Sequence, residues 1–187
     1  MIISLTGFMG CGKSSVGRRL SELLCCPFMD LDDVIEARAG KKIPEIFAEE
    51  GEDAFRKMEL KTLNDIVPMP LAHNRHTSLS SEDPYDESSH DIILALGGGT
   101  VMTRECAEIV HNGTVCIYLK ASIEILVNHL EGETANRPML QGESLRERIS
   151  GLMDRRSATY ESTAHIIIDT NGKTIDEIAE TIIRMAH

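Results

Sequence analysis

Residues 7–14 read Gly7-Phe8-Met9-Gly10-Cys11-Gly12-Lys13-Ser14 and satisfy G-x-x-x-x-G-K-[ST]. That spacing cradles a polyphosphate. Glycines let the backbone come close to the anion, and loop amides with a helix N-terminus face it. Lys13 supplies a point charge for the β/γ-phosphates, and the Ser14 hydroxyl is suited to Mg²⁺. Gly10, Cys11, Gly12, Lys13, Ser14 and Ser15 form the candidate nucleotide-binding set. The alternative is a plain glycine turn capping a helix. A strand before the motif and an amphipathic helix after it argue for the cradle. The cradle fixes phosphate binding but not the reaction. The N-K-x-D motif of a GTPase is absent. Asp169-Thr170-Asn171-Gly172 spells D-x-x-G, but only after the last expected strand.

Other residues could act on an acceptor. Asp30 and Asp32 follow the second expected strand, at the end where open α/β sheets bind ligands. One could hold Mg²⁺, directly or through water, and the other could orient a hydroxyl. Equally, one could cap the next helix; Asp33 is read as the cap of a helix starting near Val34. Arg156 completes the apolar stripe Leu145, Ile149, Leu152, Tyr160, with spacings of 4, 3, 4 and 4. Arg56 shares a face with Leu60, Leu63 and Val67. Inward arginines suit a bound carboxylate gripped by forked donors. They also suit an internal salt bridge, or snorkelling to the surface. Gly97-Gly98-Gly99 follows a strand directly, as expected where backbone passes close to a ligand. Arg137 lies in the polar stretch 132–142, which could close over phosphates as a lid.

The elements that must position these residues alternate along the chain. Strands are expected at 2–5, 27–29, 92–96, 115–119 and 166–168. Helices are expected at 13–24, 34–67 with breaks near Gly40 and Gly51, 104–111, 123–130, 143–160 and 175–185. The alternation predicts a parallel sheet covered on both faces, a three-layer α/β/α domain. At 187 residues the chain suits a single domain, 1–187. Residues 68–90 break the rhythm, with three of the six prolines, five serines and four acids against one arginine. They read as a polar loop insertion. The formal charge of −11 speaks against nonspecific nucleic-acid binding. No apolar run reaches the ~18 residues of a membrane span. The N-terminus carries no secretory pattern, and five cysteines without zinc-like spacing read as free thiols.

Taken together these segments resemble the shikimate kinase family. The likeness rests on residues 5–17 around the cradle, Asp30-Leu31-Asp32, and Ile46-Phe47 with Gly51-Glu52 and Phe55-Arg56. It continues through Leu96-Gly97-Gly98-Gly99, Asn136-Arg137-Pro138-Met139-Leu140 and Arg155-Arg156-Ser157-Ala158-Thr159-Tyr160. The resemblance implies a five-stranded parallel sheet of order 2-3-1-4-5, and transfer of the ATP γ-phosphate to the 3-hydroxyl of shikimate. It implies that Asp32 binds the shikimate hydroxyls and accepts the proton. Arg56 and Arg156 would grip the carboxylate, with Gly97, Gly98 and Gly99 lining the pocket. Asp30 would join Ser14 around Mg²⁺, and Lys13 and Arg137 would act on the phosphates. A cytoplasmic monomer with ATP and shikimate as small-molecule partners is expected. Residues 68–90 depart from the family pattern, and so does Val127-Asn128-His129, where many members carry an arginine over the adenine. A gluconate kinase, or a nucleotide-binding regulator without catalysis, are the rival readings. The paired arginines with Asp30-Leu31-Asp32 speak against the first, and intact Lys13, Asp32 and Arg137 against the second.

Overall fold

The computed structural model describes residues 1–67, 91–131 and 144–186. The insertion at 68–90 and the lid at 132–142 lie outside the described residues. Five parallel strands form one sheet: β1 (Ile2–Thr6), β2 (Phe28–Asp30), β3 (Ile92–Ala95), β4 (Val115–Lys120) and β5 (Ile166–Asp169). Their order is β2-β3-β1-β4-β5, as the resemblance implies. β1 is central, pairing Ser4 with Leu94 of β3 on one side and with Cys116 of β4 on the other. Its residues Ile3 to Thr6 are all buried, which is why the strand reads as a run rather than an alternation. The buried Ser4 hydroxyl is satisfied by Thr114 Oγ1 at 2.7 Å.

Successive strand residues feed opposite layers. Ile93 and Ile117 pack with Val16, Leu20, Leu126, Ile178 and Ile182, under α1 (Lys13–Leu24), α6 (Ile123–Leu130) and α8 (Ile175–Ala186). Leu94, Cys116 and Tyr118 pack with Ile35, Leu63, Val110 and Tyr160 on the other face. That second layer comprises α2 (Leu31–Ala39), α3 (Ile43–Glu49), α4 (Glu52–Ile66), α5 (Arg104–Gly113) and the C-terminal part of α7 (Leu145–Thr163). A single 3₁₀ turn, Thr100–Met102, follows the triple glycine. Among the described residues no helix is long and apolar enough to cross a membrane.

One boundary differs from the sequence reading in a way that matters. α2 starts at Leu31, directly after β2, and its cap is Asp30 rather than Asp33. Asp30 keeps extended backbone angles (φ −103°, ψ 123°), so it ends the strand and caps the helix at once. The Asp30 carboxylate accepts the Asp32 N–H at 3.1 Å. Asp33 is an exposed residue of the first turn. Asp30 and Asp32 therefore sit on either side of a strand-to-helix turn.

At the N-terminal end of the sheet, away from the cradle, His111 and His165 stack with ring centroids 4.6 Å apart. His165 Nδ1 accepts the Cys116 N–H at 3.0 Å, and His111 Nδ1 donates to the Thr163 carbonyl at 3.1 Å. His111 fastens the end of α7 to α5, and His165, just beyond α7, fastens to β4. Desolvation and then the neighbouring His111 hold the His165 imidazole below its ordinary value. The unfolded chain therefore takes up this proton more readily than the folded one. Stability rests on the neutral ring, is complete above the unfolded value of ~6.5, and falls as the pH drops below it. His165→Asn keeps an acceptor at the same place without the titration. Urea unfolding between pH 5 and 7.5 is expected to show a shallower acid loss for this variant than for wild type. Parallel curves would contradict the assignment.

Candidate active site

The phosphate loop joins β1 to α1. Gly10 and Gly12 take φ of +79° and +95°, a region that side chains rarely occupy. Gly12 caps α1, so the free amides of the first turn open onto the loop. Lys13, the first residue of α1, reaches back across the loop to the carbonyls of Gly7 (2.9 Å) and Phe8 (3.0 Å). Cys11 is buried, and Ser15 is exposed on the first turn of the helix. Ser14 Oγ donates to Asp30 Oδ2 at 2.7 Å. The capping carboxylate thus also reaches the serine of the cradle. A hydroxyl and a carboxylate side by side are the hard oxygen donors that Mg²⁺ takes, with the remaining positions left to water and phosphate. Among the described residues there is no group of three His, Cys, Asp or Glu that could hold a metal.

The triple glycine joins the rest of the site, and each glycine faces a different partner. A methyl group on Gly97 would lie 2.8 Å from Asp32 Oδ1 and 3.0 Å from Thr100 Oγ1. One on Gly98 would meet the Met9 amide of the phosphate loop at 3.1 Å. One on Gly99 would meet Arg56 Nη2 at 2.8 Å. The Gly98 carbonyl accepts from Arg156 Nη1 at 3.3 Å and from the Tyr160 hydroxyl. One tripeptide therefore touches the cradle, the acid and both arginines. Any side chain there would push one of them away.

Arg156 is 8% exposed and Tyr160 fully buried, as the α7 stripe predicts. Arg56 requires a correction. The buried face of α4 is Phe55, Glu59, Thr62 and Leu63, and Arg56 lies half-buried at its edge. Its guanidinium donates to Glu59 Oε2 at 2.8 Å and to Glu52 Oε1 at 3.2 Å. The internal salt bridge left open by the sequence is therefore present. Sequence reasoning missed Glu59, which is 1% exposed and also accepts from Thr100 Oγ1 at 2.6 Å. The signal was its place four residues after Phe55 and three after Arg56. A buried carboxylate at that spacing holds an arginine in place.

Asp32 carries the most informative electrostatics. Burial, followed by the nearby charges of Asp30 and Glu59, pushes its carboxyl up from 3.8 to about 6, while Lys13 opposes the shift. At neutral pH it is mostly ionised yet close to its titration point, the condition suited to a general base. Arg137 lies outside the described residues. Asp169, the other acid noted in sequence, ends the edge strand β5 and is taken up by Asn171, whose N–H it accepts at 2.8 Å.

A central β1, a glycine-rich loop, α1 behind it, and a carboxylate and arginines beside the loop define a P-loop kinase of small molecules. A family model described as shikimate kinase matches residues 9–72 and 86–187. The shikimate kinase of Rhodopirellula baltica is 35% identical over 185 residues, covering 97% of this chain and 88% of its own. That of Dictyoglomus turgidum is 37% identical, covering 97% and 94%. Among solved structures, shikimate kinase from Acinetobacter baumannii in complex with shikimate superposes with a TM-score of 0.83. It is 31% identical and covers 99% of this chain and 92% of its own. The chain belongs to the shikimate kinase family and is an ATP-dependent kinase of that family.

The family match breaks at 73–85, inside the polar segment read from sequence as an insertion. Replacing 68–90 with a four-residue Gly/Ser link is expected to leave the fold and the KM for shikimate within about twofold. Loop closure depends only weakly on length. A folded but inactive deletion variant would show instead that the segment contributes to the site.

Proposed function

We propose that this site moves the γ-phosphate of ATP to the 3-hydroxyl of shikimate. Asp32 orients that hydroxyl and takes its proton as the oxygen attacks phosphorus. The bond from the γ-phosphorus to the bridging oxygen breaks, and ADP leaves. Arg156 and Arg56 bind the shikimate carboxylate beside the triple glycine, with Glu59 holding the Arg56 guanidinium in register. Loop amides from Gly10 to Ser15 and the Lys13 ammonium bind the phosphates. Ser14 and Asp30 would hold Mg²⁺, directly or through water; it supplies charge neutralisation on the phosphates. Arg137 is assigned to the transferring group on the family resemblance.

The observation that carries this reading is the contact of one tripeptide with Asp32, Arg56, Arg156 and the phosphate loop. A carboxylate-bearing polyol held by the arginines would place a hydroxyl next to Asp32 and next to the cradle. The site of phosphorylation tests it. Two-dimensional ³¹P–¹H correlation of the product is expected to show phosphorus coupled to the proton on C3 of shikimate. Coupling to another ring position would overturn the assigned orientation.

A further inference from the structure

His129 sits on the last turn of α6, and its Nδ1 lies 2.8 Å from the carbonyl oxygen of Gly10, 119 residues away. A carbonyl only accepts, so Nδ1 donates. The next residue, Leu130, is buried against the same glycine: a methyl group on Gly10 would fall 2.9 Å from Leu130 Cγ. Two consecutive side chains of α6 thus hold Gly10, one by its carbonyl and one by its α-carbon.

Inside the loop, the peptide unit they hold is tied down through its N–H. It joins Gly10 to Cys11. Its N–H donates to the Phe8 carbonyl at 3.2 Å, and its C=O points to His129. A flip of that peptide rotates ψ of Gly10, where no Cβ resists the change, together with φ of Cys11. Turning it over would re-aim the amides that lead into α1. Inside the loop, Lys13 ties down the Gly7 and Phe8 carbonyls but not that of Gly10.

We propose that His129 is a positioning residue for the phosphate loop, holding the 10–11 peptide in its nucleotide-binding orientation from outside the loop. It touches no reacting atom. What His129 changes is the fraction of loops ready to bind, and apparent affinity falls in proportion to that fraction.

The inference rests on the kinase reading for its link to ATP, but its test needs no shikimate. ADP titrated calorimetrically into His129→Ala is expected to bind about 3- to 10-fold more weakly than to wild type, the effect of one neutral hydrogen bond. His129→Asn places its amide nitrogen where Nδ1 stood and is expected to recover most of that loss. In steady-state kinetics KM for ATP should rise by the same factor in the alanine variant, with kcat and KM for shikimate within twofold. Unchanged ADP affinity in His129→Ala would overturn the proposal. So would equal losses in the alanine and asparagine variants, or a matching rise in KM for shikimate.

Discussion

Asp32→Asn is expected to lower kcat with shikimate by about 10²–10⁴-fold, the usual loss when a general base is removed. The change preserves size and leaves the cap untouched, since Asp30 and not Asp32 closes the start of α2. ADP binding should therefore stay within about twofold. The pH profile gives a second reading of the same residue. The Asp32 carboxyl is pushed up to about 6, chiefly by burial. Because the base must be ionised, kcat/KM for shikimate is expected to fall as the pH drops below about 6. Removing the Glu59 charge as Glu59→Gln is expected to move that limb to lower pH. A near-normal kcat in Asp32→Asn, or an acid limb that Glu59→Gln leaves in place, would contradict the role.

The second large effect belongs to Arg156. The Arg156→Ala variant is expected to raise KM for shikimate by about 10- to 150-fold, equivalent to 1.5–3 kcal/mol for a charged hydrogen bond. A carboxylate contact far from the transferring phosphorus exists in ground and transition states alike, so kcat should change little. KM for ATP should stay near wild type. Arg156→Lys is expected to recover only part of the loss, because a point charge does not replace a planar fork. Tyr160→Phe, which removes the second donor to the Gly98 carbonyl and keeps the ring, should have a smaller effect. An unchanged KM for shikimate in Arg156→Ala would remove Arg156 from the pocket.

Much of this was legible in the sequence for identifiable reasons. α1 and α6 fall where periodicity places them, Lys13–Leu24 and Ile123–Leu130, because both are short amphipathic helices with clear ends. Arg156 was visible because a long apolar stripe on α7 made one charge conspicuous. On α4 the same method found the buried Leu63 and Val67 but set Arg56 further inside than it lies, at the edge of that face. Charged residues occur all round that helix, and the buried stripe itself carries Glu59. A carboxylate buried only because an arginine and a threonine meet it looks, in sequence, like any solvated acid. The cap of α2 was misplaced because Asp30, Asp32 and Asp33 are equally good caps by type, and only the direct passage from β2 into α2 selects Asp30. The contacts of His129 with Gly10 and of His165 with Cys116 join residues far apart in the chain. No local pattern announces either one.

The proposed function requires that shikimate itself be recognised beside the cradle and phosphorylated there. The most direct measurement is ADP release from Mg²⁺ and ATP by the purified protein, followed with shikimate, with gluconate and with no acceptor. ADP formation is expected to depend on shikimate, to saturate with it, and to stay at the acceptor-free background with gluconate. ADP release at the same rate in all three, or turnover of gluconate equal to that of shikimate, would contradict it.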